Sequence, residues 1–183
     1  MQIRLATLAD AEAIAHVHAE SWRTAYRGAL SDAYLSGPID AERTQVWRER
    51  FAQPPGGQYV AVAQIDGRIA GFVCAYGGDD PQWGTFIDNL HVLPEHKRHG
   101  IGVRLMHMAA SWSAQAYPGQ GMYLWVLESN LPARAFYERI GGEQVERGTW
   151  TPPDGSSLPK LRYAWRDFSG LLGPHHQRAS RAG

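Results

Sequence analysis

A chain of 183 residues, 44% hydrophobic and 20% charged, has the length of one ordinary domain and a packed rather than disordered composition. Lys plus Arg and Asp plus Glu number 18 each, so no net field draws it to nucleic acid, and no apolar run approaches the ~20 residues of a membrane span. The single cysteine, Cys74, excludes an internal disulfide framework and fits a reducing compartment, and MQIRLATLAD lacks the apolar core of a leader, so the expected location is the cytoplasm.

Residues 2–6 predict a short strand. Thr7, with Asp10 three residues on, makes an approximate capping box for a helix over residues 8–26, in which Ile14, Val17, Ser21 and Trp22 recur at helical spacing. Asp40 is expected to cap a second helix carrying Val46, Trp47 and Phe51, which Pro54-Pro55-Gly56-Gly57 stops. The runs YVAVAQI and IAGFVCAY around Asp66-Gly67 predict a hairpin, with Cys74 a strand thiol rather than a nucleophile. A fourth strand over residues 85–92 ends before Pro94, and the helix after Gly102 carries Leu105, Met106, Ala109 and Trp112 until Pro118-Gly119. Residues 122–127 form a fifth strand, Asn130 caps a helix through Ile140, and Gly141 takes the C′ position. Two more strands fall around residues 143–150 and 158–165. The order is strand, two helices, three strands, helix, strand, helix, two strands, without repeat or linker, so residues 1–169 are expected to be one domain. Residues 170–183, polar and basic towards the end, are expected to be a flexible tail.

Two stretches carry the chemistry. In HKRHGIGVRLM, residues 96–106, cations and a Gly-x-Gly lie between a strand and a helix. A helix start offers unpaired N–H groups and positive potential, and glycines let a phosphate approach, so the stretch reads as a pyrophosphate cradle or, more plainly, as a tight turn with solvated charges. It lacks the Lys-Ser/Thr after the glycines that a P-loop needs, and Leu105 stands where a dinucleotide fingerprint has its third glycine. In the second stretch, residues 127–141, Asn130 reads as an N-cap, and Tyr137 shares a helix face with Ala133. Taken alone, Tyr137 reads as a core aromatic with a tethered hydroxyl.

Together the two stretches resemble the GCN5-related N-acetyltransferase (GNAT) family, over about residues 2–168. Its basic-x-x-Gly-x-Gly/Ala loop is matched by Lys97-Arg98-His99-Gly100-Ile101-Gly102, and its Asn followed by Ala-x-x-x-Tyr and Gly by Asn130, Ala133, Tyr137 and Gly141. Two positions depart from it. Lys97 stands where Gln or Arg is usual and loses forked hydrogen bonding, and Gly142 replaces an aromatic.

The resemblance implies an α/β fold: a mostly antiparallel mixed sheet, splayed between strands 4 and 5 and flanked by about four helices. It implies an N-acetyltransferase that takes acetyl from acetyl-CoA to a primary amine by direct attack, with no metal. The backbone of Leu90 and Val92, around His91, would pair with the acetyl-pantetheine arm. Amides of Arg98, His99, Gly100, Ile101, Gly102 and Val103, beside Lys97, would hold the pyrophosphate. Asn130 would contact the arm, and Tyr137 would protonate the departing thiolate. Some relatives use a fifth-strand glutamate as base, but Trp125 stands there. Asp88, which by the two-residue period shares a face with Leu90 and Val92, is the first candidate for base, against Glu20 and a water relay. Trp22, Tyr26, Tyr34 and Trp83 are expected to wall the acceptor, a small amine or a peptide N-terminus. His91, His96 and His99 lack a compact metal-ligand spacing. The runner-up functions are a non-catalytic acyl-CoA sensor on the same scaffold and a plain interaction module; a homodimer fits any of them.

Overall fold

The computed structural model of the chain describes residues 1–152 and 155–172. Pro153, Asp154 and the expected tail beyond Leu172 lie outside the described residues. The elements run β1 (Gln2–Leu5), α1 (Ala11–Ala25), α2 (Asp32–Leu35), α3 (Ile39–Ala52), β2 (Gln58–Ile65), β3 (Arg68–Asp80), β4 (Gly84–Val92), α4 (Ile101–Ala116), β5 (Met122–Leu127), α5 (Leu131–Arg139), β6 (Glu143–Trp150), β7 (Leu158–Trp165) and α6 (Ser169–Leu172). The expected order holds, with two four-residue helices added. The seven strands form one sheet, β1-β2-β3-β4-β5-β7-β6, antiparallel except where β4 meets β5.

Local chemistry sets the elements. Asp66 and Gly67, with φ of 49° and 77°, make the hairpin turn that positive φ at both central residues requires, and Ile65 pairs with Arg68 to close it. The Asp10 carboxylate accepts from the Thr7 N–H at 2.8 Å and from Arg4 at 2.7 Å through both oxygens, and the hydrogen bonds from Arg4 above all hold its pKa down at about 2. Asp40 is not the cap of α3: the helix starts one residue earlier, after Pro38, and Asp40 in its first turn pairs with Arg23.

Strands β2 and β3 are covered on both faces. Tyr59, Ala61, Ala63, Val73 and Ala75 pack under α4, while Val60, Val62, Phe72 and Cys74 pack under α1 and α3. Trp47 of α3 is wholly buried and meets Phe72 edge to face at 5.1 Å; burying such a ring is worth about 3 kcal/mol. Helices α1 and α3 lie mainly over β2, β3 and β4, and α1 meets β6 and β7 only at their Trp150 and Leu158 ends, so the rest of that face of β5, β7 and β6 is largely uncovered by helices. Phe168 and Leu171 are buried in the α4-side core, so apolar packing runs two residues past the boundary expected at 169.

Candidate active site

Strands β4 and β5 pair only through Thr85 with Met122 and Phe86 with Tyr123, then separate. Beyond that point β4 keeps its bonds to β3. The Leu93 N–H donates to the Ala70 carbonyl at 2.8 Å, which makes His91–Phe72 and Asn89–Cys74 hydrogen-bonded pairs. Leu90 and Val92 fall between them, so their N–H and C=O groups turn into the gap. Their side chains pack towards α4.

The register of β4 slips by one residue where Ala75 pairs with Ile87 and Cys74 with Asn89. Asp88 is the extra residue of that bulge. It therefore does not share a face with Leu90 and Val92. The Arg50 guanidinium of α3 donates to Asp88 at 2.7 Å and to Asn89 at 3.1 Å, which draws both side chains to the α1–α3 side. Arg50 in turn lies over the rings of Trp47 and Tyr76, at 5.0 and 5.9 Å from their centroids.

At the far end of the gap, α4 begins at Gly100, which has φ of 77° and no capping side chain. Arg104 is the first residue whose N–H bonds back, to the Gly100 carbonyl at 3.1 Å, so the amides of Ile101, Gly102 and Val103 have no intrahelical acceptor. Lys97, Arg98, His99 and Gly100 are exposed around them, and Arg98 also has positive φ, 66°. A Cβ on Gly100 would meet nothing within 4 Å, so the space before the helix is open; the Ile101 side chain is core and only its amide is available. Gly102 is small for another reason. Its φ is not positive, and a Cβ there would lie 3.3 Å from Phe136 of α5, so that glycine seats α5 against α4.

Asn130 caps α5, its side-chain oxygen accepting from the Ala133 N–H at 3.2 Å. One turn on, Tyr137 is buried among Phe136, Tyr163 and Trp165, with ring centroids 5.3 to 6.1 Å away, and its hydroxyl has no hydrogen-bond partner among the described residues. Burial, with Tyr26 nearby, pushes its pKa well above the ordinary tyrosine value. Tyr26 is held at about 12 by burial and then by the Asp88 charge. Tyr137 comes from the α5 side of the sheet, and Tyr26 and Asp88 from the α1–α3 side, with Tyr26 within electrostatic reach of both.

His91 is not placed as a cofactor ligand. Its backbone is bonded to β3, and its ring stacks on His18 of α1 at 4.7 Å. Burial, then Lys97, lowers the His91 pKa to about 3. His18 accepts from the Trp47 indole N–H at 3.1 Å, and burial keeps it neutral as well. Cys74 is buried on the same side, and burial, with Asp88, raises its thiol pKa to about 12, which suits packing and not attack. Glu20 is paired with Arg23 at 2.5 Å. Among the described residues, no three His, Cys, Asp or Glu side chains converge on a metal position.

Three of the four expected wall aromatics come together. Trp22 lies 5.3 Å from Tyr26 and 6.4 Å from Tyr34, and Trp150 of β6 closes the cluster at 6.0 Å from both Trp22 and Tyr26. Trp83 does not join them. It packs with Tyr123 and Ala164, under Arg162 and Arg166, because its turn leads into β4 beside β5. A cavity of about 540 Å³ adjoins the wall, lined by Ala25, Arg27, Gly28, Ala29, Glu128, Ser129, Leu158 and Pro159. Leu158 belongs to both. Arg50, His18 and Trp150 escaped the sequence reading. For Arg50, its four-residue step from Trp47's neighbour Val46 is no signal, and only the fold brings α3 to β4.

The sequence model described as the Acetyltransferase (GNAT) family matches residues 15–142. A probable N-acetyltransferase of Mycobacterium tuberculosis, Rv2775, is 32% identical over 170 residues, covering 89% of this chain and 92% of its own. The Bacillus subtilis protein YuaI, described as an uncharacterized N-acetyltransferase, is 29% identical, covering 92% and 95%. The crystal structure of the PaiA N-acetyltransferase from Thermoplasma acidophilum, in complex with coenzyme A, superposes with a TM-score of 0.71 at 20% identity, over 90% of this chain and 100% of that one. At that identity the likeness is one of fold.

Proposed function

Because the chain belongs to the GNAT acetyltransferase family, we propose that it moves an acetyl group from acetyl-CoA to a primary amine by direct attack in a ternary complex. The observation that carries this reading is the opening between β4 and β5, with the outward amides and carbonyls of Leu90 and Val92 along one side. Those groups match the amides of a pantetheine arm. The unbonded amides at the start of α4, with Lys97, Arg98 and His99 around them, suit a pyrophosphate. Asn130 and Ala133 sit at the start of α5, and the Tyr137 hydroxyl faces the gap near the place a thioester would take.

In the proposed step the amine nitrogen forms a bond to the thioester carbon, and the carbon–sulfur bond breaks. The sulfur takes the proton of the Tyr137 hydroxyl, which the raised pKa keeps on oxygen at neutral pH. The nitrogen gives up its proton towards the Asp88 carboxylate, directly or through water, and solvent restores both groups. Asp88 suits this from the α1–α3 side, where Trp22, Tyr26, Tyr34 and Trp150 would flank an incoming amine, and not from the face expected of it.

Tyr137→Phe tests the assignment. It keeps the ring among Phe136, Tyr163 and Trp165 and removes only the hydroxyl. Thiol release with an accepted amine is expected to fall about 10- to 100-fold in kcat, the low end of general-acid effects because a CoA thiolate leaves readily. CoA affinity by calorimetry should hardly move. Unchanged kcat at saturating substrates removes Tyr137 as the acid. A wild-type protein that binds CoA but releases no thiol with any of a broad set of amines is a sensor and not a transferase.

A further inference from the structure

The open face of β7 displays Leu158, Lys160 and Arg162 in alternation. Leu158 reaches the aromatic wall and the cavity, and Arg162 stands opposite Trp125 of β5. Lys160 lies between them on β7, opposite Leu127 of β5, the strand that borders the gap. Its ammonium is 4.2 Å from the centroid of the Trp125 ring. Among the described residues no carboxylate comes within ion-pair distance of it, and Glu146, the acid that acts on it, pairs with Arg162 at 3.1 Å. Burial, then Arg162, lowers the Lys160 pKa, with Glu146 pulling weakly the other way, which marks a place short of negative charge. The cavity rim repeats the pattern. Arg27 is exposed there, while Glu128 across from it is paired with Arg147 at 2.7 Å. A chain with equal numbers of acidic and basic residues thus keeps surplus positive charge where its acceptor would lie.

We propose that the acceptor is an amine that also carries a carboxylate, an amino acid with an apolar or aromatic side chain, and that Lys160 reads the carboxylate. The proposal rests on the transferase reading above and names the substrate class of that site. The body of such a molecule finds Trp22, Tyr26 and Trp150, its carboxylate finds Lys160, and its amine faces the gap. A plain cationic amine meets Lys160 as a like charge, so the same residue that attracts the amino acid disfavours its decarboxylated counterpart.

The test uses phenylalanine, phenylalaninamide and 2-phenylethylamine, with methionine and 3-(methylthio)propylamine as a second series, each at saturating acetyl-CoA with thiol release as readout. The wild-type protein is expected to favour each free acid over its carboxylate-free analogues by 10-fold or more in kcat/KM. Lys160→Met is expected to reduce that preference about 10- to 100-fold, chiefly through KM, as loss of a charged hydrogen bond does. Lys160→Arg should retain most of it, and a structural role would not separate the acid from the amide. Equal rates for acid and amine in the wild type, a preference for phenylalaninamide, or an unchanged preference in a folded Lys160→Met protein overturns the proposal and leaves the transferase reading standing. No release with either series also overturns it; a wider amine set then tells whether the transferase reading falls too.

Discussion

Removing the Arg50 guanidinium probes the bulge that shapes the gap. Arg50→Met keeps the aliphatic stem against Trp47 and Tyr76 and leaves the Asp88 carboxylate without its partner. The two side chains are 27% and 22% exposed, so the pair lies between the surface and buried extremes. Breaking a fully buried pair costs about 3–5 kcal/mol, and an exposed one about 0–1. A value of about 2 kcal/mol is therefore expected for Arg50→Met, and about 1 for Asp88→Asn, which leaves Arg50 an amide oxygen and that of Asn89. The double variant should cost less than the sum, with a coupling of about 1 kcal/mol. Urea unfolding of all four proteins at neutral pH measures the cycle. CoA titration belongs beside it, because a relaxed bulge would turn Leu90 and Val92 away from the gap and should weaken CoA several-fold in Arg50→Met. Additive costs within about 0.3 kcal/mol, or a wild-type stability for Arg50→Met, would refute the clamp.

Stability should also fall in mild acid. His91 is neutral in the fold, with its pKa near 3, and an unfolded histidine titrates near 6.5, so its contribution is complete above about 6.5 and drains as the pH drops towards 3. About 1–2 kcal/mol should be lost by pH 5 from this group, with less loss in His91→Gln; a His91→Gln protein showing the same acid slope as the wild type contradicts this. Gly102→Val, whose branches would press further on Phe136 than a Cβ at 3.3 Å, should cost about 1–2 kcal/mol, and thermal melting should show it even without ligand. An unchanged melting temperature with lost CoA affinity would return Gly102 to the phosphate.

What was legible in the sequence was what local periodicity encodes. The β2–β3 hairpin, its Asp66-Gly67 turn and the Asn130 cap appear in the structure at the positions expected of them. The gap was implied by a resemblance and not by any period. Asp88 went to the wrong face because a strict two-residue count cannot see an inserted residue, and the only sign of one is the shift in pairing with β3. Arg50 is 38 positions from Asp88, and nothing near either residue announces the pair. Trp83 and Trp22 look alike in the sequence as aromatics beside polar residues, but the closure of β4 on β5 carries Trp83, in the turn before β4, to the Tyr123 cluster. Lys160 was passed over as one more strand cation, since its lack of an acidic partner is a property of the assembled sheet.

The departure at Gly142 has a physical account of the same kind. An aromatic is usual there in the family, yet a Cβ at this position would lie 2.7 Å from Trp165 and 3.0 Å from the Tyr137 carbonyl. Trp165, from β7, has taken the space. Its indole N–H donates to the Ile140 carbonyl at 3.0 Å, satisfying an acceptor at the end of α5, and its ring meets Tyr137 edge on at 6.1 Å. The packing that a residue after the helix would provide is supplied here from a strand, and glycine is what allows it. Tyr137 consequently keeps an aromatic backing that fixes its ring, while its hydroxyl has no hydrogen-bond partner among the described residues. That combination is what a proton donor to a ligand needs, and a ring held only by its own hydroxyl would not offer it.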